Sequence, residues 1–366
     1  MDQRRKLALE VIEQGMSLSE ACRRAGVTRK TGRKWVVRAR ESGLEALCEL
    51  SRAPRRMPVR TDVAIEQALL AKKAAHPKWG PRKLVVLMEP DGIKLPVRTA
   101  ERILARHGLT CPQPETQPPQ NFERESCGAL LQMDFKGLPK STPFEILTVL
   151  DDHSRFGLGF GPVPDKSGAS VKAFLWELFK QHGLPDSMLM DNGDCWGALT
   201  SRAPTAFEAW LMKLGIKPIH GRISHPQTQG KVERFHRTAK IELADKLFGP
   251  DIDTTRKDCR EFLNIYNWIR PHDSLAMATP GSRYTAFPRA RPDEVPEPEP
   301  QPGDVTRKVR LNACVCFKGR DYKVGRGLIG ERVQIREQEF GPRLFFANFP
   351  LAYLAETNSD RVFRNG

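Results

Sequence analysis

Three carboxylates, Asp134, Asp191 and Glu233, stand where chemistry on an anionic substrate is possible. Asp134 lies near the end of a strand-like run, Leu130-Leu131-Gln132-Met133-Asp134. Asp191 closes the apolar run Met188-Leu189-Met190, and Glu233 is one turn into a helical segment opened by Gly230. They are 57 residues (134 to 191) and 42 residues (191 to 233) apart, so only the fold can bring them together. Carboxylate oxygens are hard donors suited to Mg²⁺ or Mn²⁺, ions that keep waters and bind phosphate oxygens. A pair of such ions about 3.5–4 Å apart activates an attacking oxygen and stabilises a leaving one at a phosphodiester. That chemistry needs no covalent protein nucleophile. Glu242, Asp151, Asp152 and Asp194 are the alternative acids.

The elements that must position these acids are legible from periodicity. Strands are expected over 129–136, 144–151, 155–160, 187–191 and 215–220, with helices over 170–182, 205–214, 229–247 and 254–269. Three antiparallel strands followed by helix–strand–helix–strand–helix is the order of a ribonuclease H-like α/β sheet. In that arrangement Asp134 sits on the central strand and Asp191 ends a neighbouring one, about 4.8 Å away. On the last long helix, 233, 237 and 240 share a face, so Arg237 and Lys240 could hold phosphate beside the acids. A solvated helix face is the plainer reading of those cations.

Upstream of this block the chain is basic. Residues 1–110 hold 24 Lys and Arg against 12 Asp and Glu, within a net charge of +15. A polyanionic partner, nucleic acid above all, follows from that excess. Residues 1–50 read as helix, short helix capped by Ser17 or Ser19, turn at Gly26, then a basic helix capped by Thr28. This is a helix-turn-helix pattern. Its last helix offers Arg29, Lys30, Arg33, Lys34 and Arg38 to a major groove. Gly32 inside that helix has no local reason, unless a DNA backbone approaches there. Residues 61–110 repeat the theme in a second helix-turn-helix, winged-helix-like, with Arg98, Arg102 and Arg106 recurring on one face. Bundles with merely charged outer faces are the alternatives to both. Pro-rich linkers fall at 51–60, 111–122 and 288–302.

Beyond the last linker, residues 303–356 alternate apolar and polar in five short strands with glycine turns. A small SH3-like β-barrel is expected there, made basic by Arg307, Lys308, Arg310, Lys318, Arg320, Lys323, Arg326, Arg332 and Arg336. Eight cysteines are scattered without a C-x-x-C pair, which argues against structural zinc and for a reducing, cytoplasmic setting. No signal peptide or membrane-length apolar run is read in the chain.

Residues 128–275 resemble the integrase core shared by retroviral integrases and bacterial insertion-sequence transposases of the Asp-Asp-Glu type. The resemblance rests on Gln132-Met133-Asp134-Phe135, Leu150-Asp151-Asp152-His153-Ser154-Arg155, Asp191-Asn192-Gly193 and the run from His225-Pro226-Gln227-Thr228-Gln229-Gly230-Lys231-Val232-Glu233 to Arg234-Phe235-His236-Arg237-Thr238. Trp79-Gly80-Pro81-Arg82-Lys83 and the segment 98–104 look like the second DNA-binding module of one such group. The resemblance implies that Asp134, Asp191 and Glu233 are the catalytic and metal-binding acids. It also surrounds them with Asn192, Gln229, Lys231, Arg234, Arg237 and Lys240 as DNA contacts. It implies a transposase that binds the inverted-repeat ends of an element, cuts them and joins them to target double-stranded DNA. Two ends must be held, so a homodimer or larger assembly on DNA is implied, with no membrane partner. Two departures from the family pattern are a longer gap between the second and third acids, filled by 194–204, and Ala239 where leucine is usual. The same features admit two other readings: a non-catalytic DNA-binding regulator, and a nuclease that cuts without joining.

Overall fold

The computed structural model describes residues 3–48, 61–110, 123–137, 142–191, 203–221, 230–243 and 251–354. The linkers read at 51–60 and 111–122 lie outside the described residues. The chain divides into two compact units, Met1–Asp62 and Val63–Gly366.

The first unit holds α1 (Gln3–Ile12), α2 (Leu18–Arg24) and α3 (Arg29–Ser42). Ser17, rather than Ser19, caps α2 by accepting the Glu20 N–H, and Thr28 accepts the Thr31 N–H at the start of α3. Gly26 turns the chain between them at φ +62°, a left-handed conformation that glycine adopts without strain. Leu7, Ala21, Cys22 and Val36 form the core. Gly32 finds its reason here. A Cβ on it would fall 2.2 Å from Cys22 Sγ, so the missing side chain lets α3 pack onto α2. The close approach is internal to the bundle.

The second unit opens with α4 (Val63–Ala75), α5 (Pro81–Met88) and α6 (Val97–Arg106). Their core contains Leu69, Trp79, Leu84, Met88, Ile103 and Leu104. Buried Glu66 on α4 accepts from Arg106 at 3.1 Å and lies 2.9 Å from His107, which ties α6 back to α4.

The α/β block follows. Its strands are β1 (Leu131–Lys136), β2 (Glu145–Asp151), β3 (Gly157–Val163), β4 (Ser187–Met190) and β5 (Lys217–His220). They form one sheet in the order β3-β2-β1-β4-β5. β1, β2 and β3 pair antiparallel, and β4 and β5 join parallel to β1. This mixed α/β sheet has the strand order expected of a ribonuclease H-like core. Four helices accompany it: α7 (Gly168–His182), α8 (Ala206–Lys213), α9 (Gly230–Leu243) and α10 (Ile252–Asn264). One apolar layer packs α7 and α8 on the sheet through Leu175, Phe179, Phe207 and Leu211. On the other, Val232 and Phe235 of α9 meet Phe262 of α10 over Ile146 and Phe160. A π-helical turn, Ile265–Ile269, extends α10, and a short α11 (Pro280–Arg283) follows.

The C-terminal part departs from expectation. Its six strands are β6 (Val305–Lys308), β7 (Cys314–Phe317), β8 (Arg320–Lys323), β9 (Arg332–Gln338), β10 (Gly341–Phe346) and β11 (Phe349–Tyr353). They form an open four-stranded sheet, β11-β10-β9-β6, and a separate β7-β8 ribbon, so among the described residues the SH3-like barrel is not found. Alternation sets which side chains face the core, and Val315, Val333, Ile335, Leu344 and Phe346 do face it. Closure depends on edge-to-edge pairing, which alternation does not encode. Part of the basic surface is also neutralised: Arg310 pairs with Asp321, Lys318 with Glu337 and Arg336 with Asp304.

The Gly32–Cys22 contact yields a test. Gly32→Ala gains about 1 kcal/mol of helix propensity yet lowers the melting temperature, because the methyl group collides with Cys22 Sγ. The double variant Gly32→Ala, Cys22→Ala makes room and recovers most of the loss. Equal melting temperatures for the single and double variants, read by thermal circular dichroism, would contradict the packing account.

Candidate active site

Strand register sets two of the acids at one height. Gln132 on β1 pairs with Leu189 on β4 in the parallel ladder. Asp134 and Asp191 each lie two residues further along, on the same side of adjacent strands, since side chains alternate with period two. Glu233 comes from the first turn of α9. The three are electrically coupled at Asp134. Burial, the Asp191 charge and the Glu233 charge together raise the Asp134 pKa to about 6, against the Phe135 N–H and Lys166, which lower it. Among the described residues no three His, Cys, Asp or Glu side chains converge tightly enough to hold a metal ion as they stand. The acids therefore share a field without forming a closed ligand set.

His236, one turn beyond Glu233, fastens α9 to the sheet. Its Nε2 lies 2.7 Å from Thr148 Oγ1, and Thr148 is the β2 residue paired with Asp134. Its Nδ1 lies 3.8 Å from Asp134 Oδ2. Burial, then the nearby Lys136 charge, pushes the His236 pKa down to about 4, so the ring is neutral at neutral pH. Lys136 is itself close enough to Lys240 for the two charges to repel. Lys166 places a positive charge near Asp134, and Lys136 places one near His236.

Lys231 is engaged within the protein. Its Nζ lies 2.5 Å from Oδ1 of Asp152, a fully buried carboxylate, and donates to the Asp152 carbonyl at 3.1 Å. The same carboxylate accepts from the Arg124 N–H and from Gln132 Nε2, both at 2.8 Å. Asp151 accepts the N–H groups of Gly128 and Ser154 and the Ser154 hydroxyl. These two aspartates hold the β2–β3 turn and, through Lys231, the start of α9. Glu242 also has a structural assignment: it accepts from Trp79 Nε1 at 2.8 Å and from Arg270 Nε at 3.4 Å. None of the three aligns with the acid group around Asp134.

Other residues singled out in the sequence are distributed as follows. Arg234, Arg237 and Lys240 are exposed on α9. Arg29, Lys30, Arg33 and Lys34 are exposed on α3, while Arg38 is half-buried. Arg98 and Arg102 are exposed on α6, with Arg98 3.4 Å from Glu101. Asn192, Gln229 and Asp194 lie outside the described residues. Sequence reasoning missed His236, Lys136, Lys166 and the pair Glu208–His220 behind Asp191. A period-two reading of β1 puts Lys136 beside Asp134, and a helical reading of α9 puts His236 next to Glu233. For Glu208 and His220 no local signal exists.

Two measurements check this electrostatic picture. Asp134 has a folded pKa near 6, above its unfolded value of 3.8. The folded state therefore holds an extra proton between those values, and the ionised carboxylate opposes folding progressively as pH rises through 6. At pH 7.5 in a chelator, Asp134→Asn should melt higher than the parent, by up to about 3 kcal/mol, and the gap should close towards pH 4. A lower melting temperature at pH 7.5 would refute the like-charge account. Lys231→Ala strands the buried Asp152 charge and should cost about 3–5 kcal/mol in urea unfolding. Arg237→Ala, on the exposed face, should leave stability within about 0.5 kcal/mol. Equal effects would show that Lys231 is no clamp.

Known sequence profiles match several segments of the chain. Sequence profiles for an integrase core domain match residues 125–226 and 214–280. A helix-turn-helix domain profile matches residues 3–55, and a homeodomain-like profile matches 31–104. The profile "IS481 family transposase, C-terminal domain" matches residues 304–341. The chain is 25% identical to the "Insertion element IS476 uncharacterized 39.2 kDa protein" of Xanthomonas euvesicatoria over 76% of either chain. It is 29% identical to "Transposase InsD for insertion element IS2D" of Escherichia coli over 26% of this chain and 30% of that one. Among solved structures, the catalytic core of BIV integrase aligns at 25% identity with a TM-score of 0.34, covering 42% of this chain and 92% of the other. The HTLV-2 integrase catalytic core in complex with magnesium aligns at 15% identity with a TM-score of 0.35, covering 44% and 99%. An integrase core domain, helix-turn-helix domains and an IS481-type C-terminal domain matched along one chain, together with transposase relatives, support a DNA transposase.

Proposed function

We propose that Asp134, Asp191 and Glu233 are the catalytic acids of a polynucleotidyl transferase that cuts the inverted-repeat ends of its element and joins them to target DNA. The observation that carries this reading is the charge crowding at Asp134. A half-buried carboxylate near two more carboxylates is destabilised unless cations neutralise it, and three hard oxygen donors fit Mg²⁺ or Mn²⁺. Bound there as a pair, such ions would supply activation of the attacking oxygen and stabilisation of the leaving oxygen.

The chain's own residues do the rest. Asp134 and Asp191 offer their carboxylates from rigid strand ends, and Glu233 from a helix that His236 and Lys231 fasten to the sheet. Neutral His236 anchors α9 to Thr148 without adding a charge beside the acids. Arg237 and Lys240, exposed on the face of α9 that carries Glu233, bind DNA phosphates. Their attraction falls with added salt, as counterion release requires. In the cutting step water attacks a phosphodiester at the element end and expels the element's 3′-OH; in the joining step that 3′-OH attacks a target phosphodiester and expels a target-strand 3′-OH.

The remaining modules belong to DNA capture. Residues 1–50 and 61–110 bind the terminal repeats through α3 (Arg29, Lys30, Arg33, Lys34, Arg38) and α6 (Arg98, Arg102). The catalytic core spans 124–285 and the C-terminal domain 303–356. Two ends must be held together for joining, so the working form is a homodimer or larger assembly on DNA. No described helix is long and apolar enough to cross a membrane, and we place the protein with the DNA in the cytoplasm.

The decisive experiment incubates the full chain with its element's terminal DNA, a target plasmid and Mg²⁺, then follows nicked and joined products on sequencing gels. Asp134→Ala, Asp191→Ala and Glu233→Gln should each reduce both products by about a thousandfold or more, since several kcal/mol of charge stabilisation disappear. Parent-like joining by Asp134→Ala would end this reading. Nicking without any joined product would favour a nuclease.

A further inference from the structure

The strand end bearing Asp191 is held from behind. β4 ends at Met190, so the Asp191 carbonyl lies just past the ladder. His220, the last residue of β5, pairs with Met190 and brings its ring to that carbonyl. His220 Nδ1 lies 3.0 Å from the Asp191 carbonyl oxygen, and Nε2 lies 2.8 Å from Glu208 Oε1. The Asp191 carbonyl can only accept, so Nδ1 is the donor there, while Nε2 and the Glu208 carboxylate share a hydrogen bond. The other carboxylate oxygen of Glu208 accepts the Thr205 N–H at 2.7 Å, while Thr205 Oγ1 accepts the Glu208 N–H at 3.3 Å. That reciprocal cap fixes the first turn of α8. Glu208 therefore serves the helix cap and the histidine at once.

α8 is in turn seated on the C-terminal domain. Its Ala209 and Met212 belong to the same apolar cluster as Val315, Leu328 and Phe346. Gly327 comes so close that a Cβ there would fall 2.2 Å from the Pro204 carbonyl oxygen. Lys213, at the end of α8, pairs with Glu331 at 2.8 Å. One chain of contacts thus runs from the C-terminal domain through α8, Glu208 and His220 to Asp191.

We propose that Glu208 and His220 are positioning residues for Asp191: they fix its peptide carbonyl and so direct its carboxylate towards Asp134. Through α8, the docked C-terminal domain supports this alignment. A metal-holding residue gains affinity when a second group orients it, and loss of such a group typically costs about 10–100-fold. The inference rests on the reading of Asp191 as a metal-holding acid.

The test uses the full chain with two readouts: the Mg²⁺ concentration giving half-maximal thermal stabilisation without DNA, and the Mg²⁺ dependence of joining. His220→Ala should raise both half-saturation values about tenfold and lower kcat while KM for DNA stays put. His220→Asn keeps an N–H at the place of Nδ1 and should recover most of the loss. Glu208→Gln keeps the cap and an acceptor, and should fall between the two; these milder variants carry the test if His220→Ala does not fold. Unchanged Mg²⁺ half-saturation in a folded His220 variant that merely melts lower would overturn the proposal, because the histidine would then be structural only. Asp191→Asn is the separate control. A parent-like Mg²⁺ response from it would refute the reading of Asp191, and the proposal with it, whereas a lost response alongside an unaffected His220→Ala would refute the positioning alone.

Discussion

Repulsion between carboxylates set at one height on adjacent parallel strands is the constraint that the α/β block is built around. β1 and β4 hold Asp134 and Asp191 side by side, and α9 brings Glu233 near them. Left alone, that arrangement opposes folding, since one carboxyl is largely out of water and faces two like charges. The surrounding structure holds it in place. Asp151 and Asp152 lock the β2–β3 turn, Lys231 ties that turn to α9, and His236 bonds to Thr148. Each of these contacts is buried or half-buried, where it resists the repulsion better than an exposed pair would. Stability is surrendered at the site and recovered around it, a distribution common where charge must be neutralised by something that arrives later.

Much of this was legible in the amino-acid order. The apolar runs and helical spacing located the sheet strands and helices that carry Asp134, Asp191 and Glu233. Caps at Ser17 and Thr28 were readable because capping is local. What escaped were facts joining distant positions. The tie from Lys231 to Asp152 spans 79 residues and leaves no local trace. Gly32 looks unexplained until Cys22 is found against it. Glu208 and His220 lie on a helix and a strand whose facing is decided only by packing. At the C-terminal end five strands were expected where six form among the described residues, and alternation is indifferent to whether a sheet closes; this one stays open.

α9 gathers more duties than its length suggests. One face supplies Glu233 with Arg237 and Lys240, another buries Val232, Phe235 and Ala239 against α10 and the sheet. Near its end, Glu242 accepts from Trp79 and Arg270. Ala239, where the wider family favours leucine, is fully buried. The smaller side chain is absorbed by a core already filled by Phe235, Phe262 and Tyr266, whose rings pack edge to face.

The Trp79–Glu242 hydrogen bond has a metric consequence. Trp79 is almost wholly enclosed in the helical module of α4, α5 and α6, yet its indole N–H is spent on the helix that bears Glu233. Lys83 and Asp273 add a second tether nearby. The module is therefore tied directly to the α/β block by Trp79–Glu242 and Lys83–Asp273. A duplex gripped by α6 would meet the acids at a stride measured by protein, so the number of base pairs from grip to cut becomes a property of the fold.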